Sequence, residues 1–358
     1  MKIGIITHHY VKNYGAFLQA RALMGAIEEN FPSAEVSLVN YINPNHWFRN
    51  ILHIVHFKIG RDNLKSYRQK VGQLLVFSKY EHSLPRSKRV HNPEEIEKLG
   101  YDVLIIGSDE VWNFTALGYH PLKFGYGFSK NTSISTYAAC AGAVTDDTPI
   151  PDEAAKGLEN LNMISVRDIW SQKFVARASG REAELVLDPT FLYNFDRDID
   201  ERNIQPKPYR YILIYECQLT EKQIVMLKKY AAEHDLKVIG GGNYQTYYDD
   251  ITISLTPYEW VNLFRNAEAV ITGTFHGTVF SIKYKKKFVS YPTMKNRILK
   301  IHSLLCDFRL EDRLLTPEHE DELLSVMLSE VPYEQAYRRI EAKKEFSLNF
   351  LKQALKGC

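Results

Sequence analysis

Ala269-Val270-Ile271-Thr272-Gly273-Thr274-Phe275-His276-Gly277-Thr278 begins as a short apolar strand and ends as a polar loop punctuated by glycine. Val279 to Tyr284 then reads as a helix and Phe288 to Tyr291 as the next strand. Strand, glycine loop, helix and strand form an α/β unit, which implies a parallel sheet. Gly273 and Gly277 open the backbone, and Thr274 and Thr278 offer hydroxyls. The helix N-terminus points at the loop, an arrangement suited to an anion. His276 stands in this polar loop rather than on an apolar face, so the reading favours a functional role for it.

The neighbouring sequence repeats the pattern. Tyr209 to Tyr215 and Lys237 to Gly240 read as strands, Glu221 to His234 as a helix, and Pro257 opens another helix. Lys295 and Arg297 follow closely enough to join His276. These elements define an α/β C-terminal domain over residues 205–330, with a helical segment over 331–358 that is expected to pack back on the first domain. The first half, residues 1–195, reads the same way. Residues 3–7 are a strand, His8 to Gly15 a polar loop, and Leu18, Ala22, Leu23, Ala26 and Ile27 recur at helical spacing. Asn13 and Gly15 precede that helix without forming a GxGxxG fingerprint. Gly15 either satisfies a turn or lets the backbone approach a ligand.

Val103 to Gly107 is a central strand with Ser108 and Asp109 at its carboxyl edge, where ligands bind in open α/β sheets. Asp109 reads as a ligand-binding carboxylate or as a helix N-cap. Ile134 to Ala139 ends in Cys140, Ala141 and Gly142, small residues that permit close packing or backbone contact with a ligand. Arg167 follows the run Leu158 to Ile164 and is either structural or presents its fork to phosphate or carboxylate.

At roughly 150 residues per domain, 358 residues suit two domains. A composition 45% hydrophobic and 25% charged excludes disorder, collagen and a disulfide scaffold. The net charge of +2 gives no reason to expect a nucleic-acid partner. Cys140, Cys217, Cys306 and Cys358 are far apart and form no CxxC pair, which argues against a thiolate zinc site and for a reducing compartment. No GxSxG, HExxH, Walker A or kinase signature is present. Met1-Lys2 leads straight into a strand, and no run approaches the roughly 18 apolar residues of a membrane span, so the expectation is a cytoplasmic protein.

Residues 46–91 depart from the even charge. They hold ten Lys or Arg against Asp62 and Glu81, a net +8, interleaved with Trp47, Phe48, Ile51, Leu52 and Phe57. This reads as a basic helical insertion in the first domain. It is either a solvated face with a core stripe or a surface for an anionic membrane or glycolipid acceptor. His53 and His56 there have no nearby carboxylate, and no metal is expected.

Several segments resemble the polysaccharide pyruvyl transferase family. They are Asn13 to Leu23, Ile106 to Asn113, Ser165 to Asp168, Leu187 to Leu192, Thr272 to Ser281, and the closing run from Asn296 through Arg313. They span residues 13 to about 313 in the family's order. The resemblance implies two Rossmann-like domains in a GT-B-like arrangement with a cleft between them. It implies transfer of the enolpyruvyl unit of phosphoenolpyruvate to a sugar, forming a pyruvate ketal and releasing phosphate, with no cofactor. It places the catalytic histidine on His276 and an anion-binding arginine on Arg167. Family members often carry Arg two residues before that histidine, where this chain has Thr274, so Arg297 or Lys295 would supply the cation. The implied acceptor is a saccharide or a lipid-linked saccharide. Two rivals stand beside this reading. One is a sugar-nucleotide glycosyltransferase with a pocket around Gly240 to Asn243 and Glu259. The other is a non-catalytic binding protein on the same fold.

Overall fold

Each half of the protein is built on a wholly parallel sheet in this computed structural model, which describes residues 1–57, 63–142 and 144–356. Cys358, and Lys58, Arg61 and Asp62 of the basic segment, lie outside the described residues. The first sheet contains β1 (Lys2–Ile6), β2 (Glu35–Tyr41), β3 (Arg86–Val90), β4 (Val103–Ile106) and β5 (Ile134–Thr136), in the order β3-β2-β1-β4-β5. Crossover helix α1 (Tyr14–Asn30) joins β1 to β2, α2 (Pro44–Val55) and α3 (Leu64–Ser83) precede β3, and α4 (Pro93–Glu97) precedes β4. Ile3, Ile5, Leu104, Ile105 and Ile106 are at most 1% exposed. Strands covered on both faces read as unbroken apolar runs, which is why this part is visible in the sequence.

β3 is different. Its sequence, Arg86-Ser87-Lys88-Arg89-Val90, carries three basic residues and sits at the sheet edge, where charge discourages pairing with other chains. Beyond β5 come α5 (Asp152–Glu159), β6 (Ser165–Val166), α6 (Ile169–Ser179) and β7 (Glu184–Leu185). A single parallel bridge, Ala139 to Val166, continues the sheet to β6.

After α7 (Phe195–Glu201) the second sheet contains β8 (Tyr211–Tyr215), β9 (Lys237–Gly240), β10 (Ala269–Thr272) and β11 (Lys287–Ser290), ordered β11-β10-β8-β9. Its helices are α8 (Glu221–Glu233), α9 (Pro257–Asn266), α10 (Phe275–Lys283), α11 (Lys295–Phe308) and α12 (Leu323–Leu328), and α13 (Tyr333–Lys356) ends the chain's described part. Thr220 and Thr256 begin α8 and α9 with capping boxes, each satisfying two N-terminal backbone N–H groups.

The contacts divide the chain into two units that do not follow sequence order. The first is Met1–Ile51, Glu81–Tyr193 and the described part of Glu341–Cys358; the second is the described part of Leu52–Tyr80 with Asn194–Ile340. The basic segment, expected as an insertion of the first domain, is therefore divided. Most of it counts with the second unit because its contacts are there. Gln69 Oε1 accepts from Ile253 N at 3.1 Å, and the Tyr80 and Tyr258 rings lie 5.8 Å apart. The final helix is shared in the same way. Ser347 Oγ, fully buried, accepts from Leu187 N at 2.9 Å within the first unit.

Candidate functional site

In the first unit the strand order reverses beside β1, between its neighbours β2 and β4, and the carboxyl ends of β1 and β4 bound that switch point. Open α/β sheets bind ligands at such places. Thr7 to Tyr10 leave β1, and Gly107 to Glu110 leave β4. The turn after β4 is unusual in backbone: Asp109 has φ +80° although it is not glycine. Gln19 of α1 ties the two ends together. Its Nε2 donates to Thr7 Oγ1 at 2.9 Å, and its Oε1 accepts from Ser108 N at 3.1 Å.

Arg167 leaves β6 and turns its fork on the chain's own carboxylates. Nη1 donates to Asp188 at 2.8 Å and Nη2 to Asp109 at 3.3 Å. Its side chain is 2% exposed, and that of Asp188 is fully buried. Burial opposes its charge, but Cys140, Asp188, Asp109 and Glu110 outweigh that and push the guanidinium well above its ordinary range. Asp188 is in turn held by Thr190, whose hydroxyl donates to it at 2.6 Å. Arg167 is thus already provided with anions.

The other expected first-unit residues are also committed to the fold. Asn13 caps α1 by accepting from Ala16 N, and Gly15 is buried in the first helical turn. Ser108 is fully buried and donates to Ala138 O at 3.1 Å. Gly142, at φ +69°, lies against Glu110 and Asn113, and a Cβ there would meet Glu110 Oε2 at 2.5 Å. Asp109 keeps a side chain 20% exposed.

In the second unit the order reverses beside β8, and the carboxyl ends of β8 and β10 supply the corresponding edge. Arg297 of α11 reaches it. Nη2 donates to Glu216, just past β8, at 2.9 Å, and Nη1 donates to the carbonyl of Gly273, just past β10, at 3.3 Å. Both ion-pair partners are about one-third exposed, at 33% and 36%. Gly273 has no room for a side chain, because a Cβ would come 2.5 Å from Glu216 O and 3.3 Å from Tyr291 O.

His276 corrects the loop reading. The helix expected at Val279 starts at Phe275, so His276 belongs to the first turn of α10. The cause is Thr274, which is the N-cap and accepts from Gly277 N at 3.0 Å. Thr278 is likewise inside that helix. Its hydroxyl bonds Thr274 O at 3.0 Å and Ser290 Oγ at 2.7 Å, and it is fully buried, so it faces the core rather than a ligand. Gly277 leaves space that the Thr272 and Thr274 hydroxyls occupy. Lys295 is exposed in the first turn of α11. The structure therefore gathers Thr274, His276, Gly277 and Arg297 at one strand edge, and Ser108, Asp109, Arg167 and Gly142 at another.

Residues 13–293, which include Asp109 and Arg167 of one strand edge and Thr274 and His276 of the other, match the model of the polysaccharide pyruvyl transferase family. The chain belongs to that family. The transferase is accordingly an enzyme of pyruvyl transfer. No curated protein sequence matches it significantly. In fold the transferase is similar to the Staphylococcus aureus MnaA–UDP co-structure, at TM-score 0.55 and 11% identity over 99% of this chain and 97% of that one. It is also similar to a putative UDP-N-acetylglucosamine 2-epimerase from Listeria monocytogenes, at TM-score 0.54 and 12% identity over 99% and 95%. The spinosyn rhamnosyltransferase SpnG follows, at TM-score 0.50 and 11% identity over 99% and 100%. At such identities the likeness establishes the α/β, two-domain, GT-B-like fold.

Glu216 and Asp188, the acids that hold the two arginines of the transferase, carry no chemical motif of their own in the sequence. Asp188 lies inside the family-like run Leu187 to Leu192, where nothing local distinguishes an acid before Pro189 from a turn residue. Glu216 had a weaker signal, a lone acid following the apolar run Tyr211 to Tyr215. Among the described residues, no group of three or more His, Cys, Asp or Glu is placed to hold a metal, and no helix is long and apolar enough to cross a membrane.

Proposed function

We propose that the transferase moves the enolpyruvyl group of phosphoenolpyruvate to a sugar of a polysaccharide or glycolipid precursor, releasing phosphate and leaving a pyruvate ketal. The observation that carries this reading is Arg297 at the β8–β10 edge, where the first turn of α10 also brings His276. An exposed ion pair such as Arg297–Glu216 contributes about 0–1 kcal/mol, so an incoming phosphate or carboxylate can displace it. The guanidinium fork then binds the anion in two places, and the positive end of α10 assists. Arg297 also touches the residue next to Thr274 and so stands close to where family members often carry arginine.

The reaction balances without a net proton. Protonation of the donor's methylene carbon makes C2 electrophilic, and one sugar hydroxyl forms a bond to C2 and gives up its proton. The C2–O bond to phosphate breaks with its electron pair, and a second hydroxyl closes the ketal. Two hydroxyl protons leave; one is matched by the new C–H bond and one by hydrogen phosphate. An acid–base group near the donor is needed, and imidazole serves at neutral pH, which assigns the step to His276. Phosphate release from phosphoenolpyruvate in the presence of hexosides tests the reading. Turnover by His276→Ala equal to the parent chain's would sink the assignment.

The same reading gives α2 a place. None of its residues is buried; Trp47 is 40%, Phe48 58% and Leu52 49% exposed, on one face with Ile51 and Val55, while Arg49 and His53 lie on the other. Residues 46–91 carry +8 within a chain of +2, leaving −6 for the remainder. An in-plane helix on an anionic bilayer fits both facts, and would bring a lipid-linked acceptor to the enzyme. Sedimentation with phosphatidylglycerol vesicles should fall several-fold in a Trp47→Ser, Phe48→Ser chain. Equal pelleting would remove the membrane from the scheme.

A further inference from the structure

A second ionisable cluster lies wholly in the first unit, at the β1–β4 switch point. The short 3-10 turn Pro121–Phe124 delivers Lys123, fully buried, to this place. Its Nζ donates to Gly118 O at 2.9 Å and lies 3.2 Å from His8 Nδ1. His8 Nε2 is 3.3 Å from the carbonyl of Glu110. A carbonyl can only accept, so Nε2 carries the hydrogen, and the Nδ1 of a neutral His8 accepts from Lys123. Beside it, the His46 ring lies with its centroid 5.4 Å from that of His8, and His46 Nδ1 is 3.2 Å from the Tyr10 hydroxyl. Gly118 makes the packing feasible: a Cβ there would come within 2.7 Å of His46 Nδ1 and 3.0 Å of His8 Cε1.

Burial sorts these groups by task. Lys123 and His8 are closed to solvent, whereas His46 and Asp109 are partly exposed. A buried lysine, a tautomer-locked imidazole and a reachable imidazole are more than a stable core asks for. Replacing buried polar groups by apolar ones of similar shape is often neutral or stabilising.

We infer that His46 takes the proton of the acceptor hydroxyl at the β1–β4 switch point, and that Lys123 is a positioning residue acting on it with His8. This deepens the pyruvyl-transfer reading and rests on it. The hydroxyl O–H bond breaks, its oxygen bonds to C2 of the donor, and the proton passes to His46 Nε2. The phosphate that leaves and the donor's methylene carbon receive the matching protons. The surrounding charges agree with this assignment. Burial and then Lys123 lower His46, while Asp109 raises it, so the ring is held neutral and ready to accept. Burial lowers Lys123 to about 7, opposed by Asp109, and His8, His9, His46 and His120 all feel its charge, with the Tyr10 ring 5.9 Å away.

The experiment uses the full chain, phosphoenolpyruvate and a panel of p-nitrophenyl β-hexosides, with kcat/KM for the hexoside measured against pH. His46→Gln should lose at least 100-fold in that quantity, while phosphoenolpyruvate affinity in a binding titration stays within 2-fold. Lys123→Met should lose about 10-fold and move the acid limb to higher pH, because the charge that depresses His46 is gone. A merely structural lysine would leave that midpoint in place. Should Lys123→Met fail to fold, His46→Gln, at a partly exposed position, decides alone. Turnover by the parent chain combined with an unchanged hexoside kcat/KM in His46→Gln overturns this inference and leaves the donor site standing. Failure of the parent chain to release phosphate with every hexoside overturns the pyruvyl-transfer reading and this inference together.

Discussion

Each unit brings one arginine to its sheet's edge region, and the two arginines live in opposite surroundings. Arg167 is enclosed and paired with Asp188 and Asp109. Arg297 is one-third exposed and, among the described residues, pairs with one carboxylate, Glu216. In a buried pair each charge depends on the other, because removing one partner leaves the other desolvated. In an exposed pair, water stands ready to replace either partner, so a ligand meets little resistance. One architecture thus yields a fixed internal strut in one unit and a cation open to exchange in the other.

Substitution at the two arginines tests that contrast most strongly. Arg167→Met should destabilise the fold by about 3–5 kcal/mol in denaturant unfolding, since the buried Asp188 carboxylate would lose its guanidinium. If stability is kept and phosphoenolpyruvate affinity is lost instead, Arg167 is a ligand-binding residue and the contrast collapses. His276→Ala should lower turnover by about 10²–10⁴-fold, the range of a general acid–base group, with the melting temperature little changed. Arg297→Met should weaken phosphoenolpyruvate by roughly 1.5–3 kcal/mol, the worth of charged hydrogen bonds, again with stability near the parent's. A drop in stability there as large as for Arg167 would show the second site to be as closed as the first.

The smallest effect sharpens the first unit's half of the comparison. Burial lowers Lys123 from 10.5 to about 7. Between those values the unfolded chain binds a proton that the folded chain does not, so this lysine makes stability rise with pH; below both values its cost is fully present. The stability difference between the parent chain and Lys123→Met should therefore change in the parent's favour from pH 7 to pH 9. The slope is bounded by about 1.4 kcal/mol per pH unit. A flat difference would mean that Lys123 reaches water.

What could be read in the sequence follows the physics of burial. β4 and β8 are covered on both faces, so Val103–Ile106 and Tyr211–Tyr215 announce themselves as apolar runs. β3 escaped notice because an edge strand of Arg86, Lys88 and Arg89 has the composition of a surface loop. The strand and glycine pattern sets His276 in a polar loop after β10, whereas the Thr274 cap brings it into the first turn of α10, a cap that the two nearby glycines disguise. The pairings of Arg167 with Asp188 and Arg297 with Glu216 bring residues together through tertiary structure, and no local period encodes them. Lys123 was hidden for a related reason. A lysine ordinarily reads as surface, and only the closure of Gly118, His8 and Tyr10 around it removes the water.

The last helix carries a consequence for how the protein is made. α13 contributes to the second unit up to Ile340 and to the first from Glu341 onward. Ser347 then pairs with Leu187, 160 residues earlier in the chain. Domains made on the ribosome generally fold from the N-terminus forward. Here the unit that is started first is finished last, since a nascent chain halted at residue 340 holds all of the second unit and still lacks the first unit's final helix. The Leu187 amide must wait until Ser347 has been made to find its acceptor, and the strand-end residues of the first unit mature only once the ribosome has delivered that helix.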